Sequence, residues 1–130
     1  MASLIITSWP KTASHGQGRK LTIMARPRHW ERGDASIPGV LPDQVWVMAR
    51  KADLISWEEY EALYVDMLSH VDLREGSLLT SLGDPVRDGD TLLCCCSADK
   101  AQAGHCHRVW LARALSQAGW KVTLDEVTCG

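Results

Sequence analysis

Asp88-Gly89-Asp90-Thr91-Leu92-Leu93-Cys94-Cys95-Cys96 sets a turn in front of an uninterrupted apolar run of strand length. A run without polar alternation fits a strand covered on both faces, as in a parallel sheet. Ser97 to Gly104 reads as loop. From about Cys106 to Ala118, the residues Leu111, Leu115 and Ala118 recur at helical spacing, and Gly119 supplies a C-terminal cap. Lys121-Val122-Thr123-Leu124-Asp125-Glu126-Val127 then reads as a further strand. Strand, helix and strand within about 37 residues make a right-handed βαβ crossover. The expectation is therefore an α/β fold: a mainly parallel sheet with helices on both faces.

The segments before this unit fit the same class. Leu4-Ile5-Ile6-Thr7 reads as a buried strand ended by Trp9-Pro10, and Leu21-Thr22-Ile23-Met24-Ala25 as a second strand. Between them Gly16-Gln17-Gly18 is a weak match to a phosphate loop; with no apolar helix after it, a turn is the better reading. Pro42 is suited to the first position of a helix containing Val45, Trp46 and Ala49. Ser56 with Glu59 forms a capping box, and Trp57, Tyr60, Leu63, Tyr64, Met67 and Leu68 follow as one apolar stripe. Asp72 and Glu75 repeat the capping pattern ahead of Leu78, Leu79 and Leu82, which predicts another helix stopped by Gly83-Asp84-Pro85.

No repeat or linker divides the chain, so residues 1–130 are expected to form a single domain. Apolar residues at 45% and charged residues at 23% are ordinary globular usage. A net charge of -2 gives no overall attraction to nucleic acid or an anionic membrane. The charge is uneven: seven Lys/Arg face three acids in residues 1–50, whereas four face eleven in residues 51–100. The N-terminal loops are thus basic enough to meet an anion. Three of the five cysteines are consecutive, which does not suit a disulfide framework, and neither a leader-like start nor a membrane-length apolar run is present. A reducing, cytoplasmic setting is the expectation.

Ligands of open parallel sheets bind beyond the carboxyl ends of the strands. The segment Cys94 to Arg108 falls there. Cys94 and Cys96 lie on one face of the strand and Cys95 on the other. Cys106 and His107 would open the next helix, where free N–H groups and the helix dipole favour negative charge and a thiolate. Arg108 adds a planar fork suited to phosphate or carboxylate.

Leu92-Leu93-Cys94-Cys95-Cys96, then Cys106-His107-Arg108 with Leu111, Ala112 and Leu115, resembles the signature of the DUF488 proteins, a bacterial and phage family of unknown function. Thr7-Ser8-Trp9, Ala25-Arg26-Pro27-Arg28-His29-Trp30 and Trp57-Glu58-Glu59-Tyr60 resemble one branch of it, so the likeness spans most of the chain. It implies a Rossmann-like fold and a ligand site at the Cys-His-Arg triplet, without supplying an activity. Cys96 departs from the Glu common in that family, and the loop from Cys94 to Cys106 is several residues longer.

The residues leave several readings open. Leading is noncovalent binding of a small anionic, nucleotide- or phosphate-like ligand, with Arg108 as anchor and Arg26, Arg28 and Trp30 reaching in. A cysteine-dependent enzyme would use Cys106 as nucleophile, His107 or His105 as proton carrier and Arg108 as oxyanion or phosphate anchor. Tyrosine-phosphatase spacing is absent, since Ala112 stands where that loop needs arginine. A zinc site would draw on Cys94, Cys96, Cys106 and His105 or His107, without the usual Cys-x-x-Cys knuckle. A non-catalytic protein-binding regulator is another reading, with Trp46 or Trp110 as its anchor where not buried, although Trp110 and Trp120 read first as packing residues. Against these stands plain packing: buried Cys behaves as a small hydrophobe, and Arg108 would then pair with an acid such as Asp125.

Overall fold

The computed structural model describes residues 2–8, 18–25, 33–94 and 107–124. Its elements are β1 (Ser3–Ser8), β2 (Lys20–Thr22), β3 (Ala35–Ser36), a 3-10 turn (Pro38–Val40), α1 (Gln44–Lys51), α2 (Trp57–Ser69), β4 (Thr91–Cys94), α3 (His107–Gln117) and β5 (Lys121–Leu124). All strand pairs are parallel, in the order β3-β2-β4-β1-β5. The β4–α3–β5 unit therefore passes over β1, and β4 is central. That position explains the unbroken apolar run: all four β4 residues are buried.

The register puts Ile6, Leu92 and Leu21 side by side across three strands. They enter one core with Tyr60, Tyr64 and Leu68 of α2 and Trp110, Leu111 and Leu115 of α3. The next row, Thr7, Leu93 and Thr22, points to the reverse face and is buried as well, so the sheet is covered on both sides. The described helices pack as α1 on α2 and α2 on α3. At the amino ends of the strands, Arg19 bonds Asp84 at 2.5 Å and Asp90 at 2.9 Å, locking the turn before β4 to the start of β2.

Local expectations are met in some places and corrected in others. The capping box is present: Ser56 accepts from the Glu59 N–H, and Glu59 accepts from the Ser56 N–H, both at 3.0 Å. Leu63, expected in the apolar stripe, is 38% exposed. The first helix begins at Gln44 rather than Pro42, because the Asp43 side chain caps it by accepting from the Val45 N–H. The short edge strand β3, of two residues, is too brief to leave a periodic pattern in the sequence. The helix expected after Asp72 does not form. Asp72 does accept from the Arg74 N–H, but Gly76, at φ 88, turns the chain after one coil. Leu79 then bridges to Pro85, and Ser81 bonds the β3 edge at Ser36, leaving Leu79 and Leu82 exposed. Three-residue spacing alone is no helix signal when a glycine in the left-handed region interrupts it.

Candidate functional site

The carboxyl ends of β2 and β4 meet the start of α3. Ile23, one residue past β2, still bonds into the sheet through its N–H to the Leu93 carbonyl at 3.0 Å. Its own carbonyl lies 2.9 Å from Nε2 of His107. A carbonyl can only accept, so Nε2 carries the hydrogen and the ring is the Nε2–H tautomer. Sγ of Cys94, the last residue of β4, sits 3.9 Å from the same nitrogen. The Tyr64 ring meets the imidazole edge-on at 5.4 Å, and its hydroxyl donates to the Val40 carbonyl at 2.7 Å. His107 thus holds β2, β4 and α2 to the first turn of α3.

This environment fixes protonation. Burial pushes the His107 pKa down to about 4; the Ile23 hydrogen bond opposes that, and the neighbouring Arg108 charge adds to it. The imidazole is neutral at pH 7. Burial likewise raises the Tyr64 phenol well above its usual value, so it remains a donor.

Arg108 is the outlying feature. Only 1% exposed, it is the largest fully buried side chain of the described residues, and neither Nη1 nor Nη2 has a hydrogen-bond partner among them. A guanidinium stays charged at any relevant pH. An uncompensated buried charge costs several kcal/mol, on the order seen when one member of a buried pair is removed. Both nitrogens belong to a fork that donates to two oxygens of one anion. They stand in the first turn of an eleven-residue helix, where the dipole also favours negative charge.

Of the residues singled out from the sequence, the structure brings together Cys94, His107 and Arg108. Arg26, Arg28, Trp30, Cys96, His105 and Cys106 lie outside the described residues. Among the described residues no group of His, Cys, Asp and Glu could hold a metal ion, and Cys94 is buried. Trp110 is the packing residue that its reading expects and no exposed anchor: it is buried against Tyr60 and Tyr64, with centroids 5.5 and 6.1 Å away. Trp46 is half-buried. Tyr64 and the Ile23 carbonyl belong to the junction yet were missed, since helical spacing marks Tyr64 only as core and nothing in a sequence marks a backbone acceptor. No helix of the described residues is long and apolar enough to cross a membrane. Comparison with protein-family models, curated proteins and solved structures returns no match, so the resemblance to DUF488 rests on the quoted residues alone.

Proposed function

We propose that the protein binds a small anionic ligand, nucleotide- or phosphate-like, where β4 hands over to α3, with Arg108 as the anchor. One observation carries this reading: a buried guanidinium whose two terminal nitrogens have no acceptor among the described residues. An anion seated there would offset the buried charge and gain from the helix dipole. His107, neutral and tied to Ile23, would hold the first turn of α3 in place rather than carry protons. Arg26, Arg28 and Trp30 would complete the site from the segment after β2. A cytoplasmic setting with reduced cysteines fits this role, and no membrane or nucleic-acid partner is needed.

Isothermal titration and thermal shift with inorganic phosphate, nucleoside mono- and triphosphates and di- and tricarboxylates test it. Wild type is expected to bind at least one class, and Arg108→Met to lose that binding while remaining folded. Indifference of the wild type to every class, or unchanged binding by the variant, overturns the reading.

A further inference from the structure

The sheet ends in two edges, and the fold treats them differently. At the β3 edge the outward groups of Ser36 are taken: its N–H donates to Ser81 Oγ at 3.1 Å, and its carbonyl accepts from the Ser81 N–H at 2.8 Å. A two-residue strand closed in this way offers no template to another chain. The β5 edge, four residues long, is the opposite case. The Lys121 N–H donates to the Ala2 carbonyl at 2.9 Å, so Lys121 and, two positions on, Thr123 turn their backbone groups toward β1. Val122 and Leu124 turn theirs outward, where they have no hydrogen-bond partner among the described residues. Their side chains pack half-buried against the core, while those of Lys121 and Thr123 are exposed on the reverse face.

The sequence of this edge is complementary to itself. Asp125 follows β5 in the chain, and Lys121-Val122-Thr123-Leu124-Asp125 can be read against a second copy running the other way. With Thr123 opposite Thr123, Val122 stands opposite Leu124 and Lys121 opposite Asp125. That register brings the outward N–H and C=O groups of Val122 and Leu124 face to face, as an antiparallel hydrogen-bonded pair requires. Thr123 and the Lys121–Asp125 pair fall at the non-bonded positions, where opposed side chains approach most closely. Slides of two residues either way set Lys121 opposite Thr123 or Val127 and lose the charge pair.

We infer that β5 pairs with the β5 of a second copy, antiparallel and centred on Thr123, so that two chains share one continuous sheet about a two-fold axis. A foreign extended segment would satisfy the same backbone groups, but a second copy brings the acid, the threonine and the apolar residues in the matching order. The pairing goes beyond the anion site and does not depend on it, since β5 carries none of the residues proposed there.

Sedimentation velocity of the full chain across a concentration series is expected to show a monomer–dimer equilibrium. Thr123→Lys sets like charges against each other at the two-fold axis, and Lys121→Asp sets them against Asp125 of the other copy. Each should weaken the dimer about tenfold, and Lys121→Asp combined with Asp125→Lys should restore it. Lys121 and Thr123 are exposed, so these variants keep the fold, which circular dichroism checks. Cross-linking reads the register. Thr123→Cys should form an intermolecular disulfide under mild oxidation, because an opposed non-bonded pair stands about 4.5 Å apart at Cα, whereas Lys121→Cys should not. Mass spectrometry of the digested dimer distinguishes this bridge from any made by the native cysteines. A monomer at every concentration overturns the inference. So does a dimer indifferent to Thr123→Lys, a double charge exchange that restores nothing, or a Lys121→Cys bridge formed as readily as the Thr123→Cys one. Arg108→Met should leave the dimer unchanged.

Discussion

His107 Nε2 donates to the Ile23 carbonyl at 2.9 Å, so the first residue of α3 is bonded to the chain just beyond β2, 84 positions earlier. A covalently remote pair of this kind sets where Arg108 stands, because the next residue of a helix has no freedom of its own once the first turn is fixed. Removing the ring leaves a buried carbonyl without its donor and a void beside Tyr64. His107→Ala should cost about 2–4 kcal/mol in urea unfolding. His107→Gln, which can still donate, should recover part of it; equal loss in the two variants would argue that packing alone matters.

The same ring links stability to pH. Its folded pKa, about 4, lies below the ordinary value of 6.5, so the unfolded chain binds the extra proton first. The stability it contributes is complete above about pH 6.5 and is lost as pH falls through the folded value. A shift of that size corresponds to roughly 3 kcal/mol between pH 7 and pH 4. Urea midpoints measured across this range should fall more steeply for wild type than for His107→Gln. Parallel curves would mean that the imidazole takes up its proton equally in the native and the unfolded chain.

Arg108 should behave opposite to an ordinary core residue. Replacing a buried cation that has no acceptor among the described residues by an apolar side chain of similar length removes the desolvation cost. In ligand-free buffer Arg108→Met is expected to be as stable as wild type or up to about 4 kcal/mol more stable. A carboxylate already paired with the guanidinium would give the reverse, a loss of about 3–5 kcal/mol. Chemical denaturation of dialysed protein separates the two outcomes.

Much of this junction could be read from the sequence. The Thr91–Cys94 run, the Leu111–Leu115 spacing and Gly119 are strong because each has one physical solution: a strand covered on two faces, an inward helical stripe, a left-handed cap. The Cys-His-Arg triplet could be placed at a helix start, and the structure puts His107 and Arg108 there. What spacing could not tell is which polar groups the fold satisfies. His107 finds the Ile23 carbonyl only because β2 and β4 are neighbours, and Arg108 finds no acceptor among the described residues for the same kind of tertiary reason. The false helix after Asp72 shows the converse limit. Its leucines fit a helical template, but Ser81 and Val86 gain better backbone partners in Ser36 and Leu78.

Tyr64→Phe isolates one hydrogen bond of the core. The hydroxyl donates to the Val40 carbonyl at 2.7 Å inside a site otherwise apolar, and removing it leaves that carbonyl unpaired without changing the ring packing. About 1–2 kcal/mol should be lost. Because burial raises the phenol pKa, ultraviolet titration of the folded wild type should show one tyrosine that resists ionisation until the protein unfolds.

Gly18 decides between two readings of the Gly16-Gln17-Gly18 stretch. A Cβ built on Gly18 would lie 1.8 Å from the Gly89 carbonyl oxygen, a backbone atom that cannot swing away. The residue is therefore small because the chain entering β2 presses against the turn before β4, whose Asp90 is bonded to Arg19 next door. Gly18→Ala must push these segments apart and strain the Arg19–Asp90 pair, so it should destabilise by about 2 kcal/mol or more. It should also leave anion affinity unchanged in the fraction that remains folded, since this contact sits at the amino ends of the strands, opposite Arg108. A loss of affinity with stability intact would instead make the glycine stretch part of the anion site.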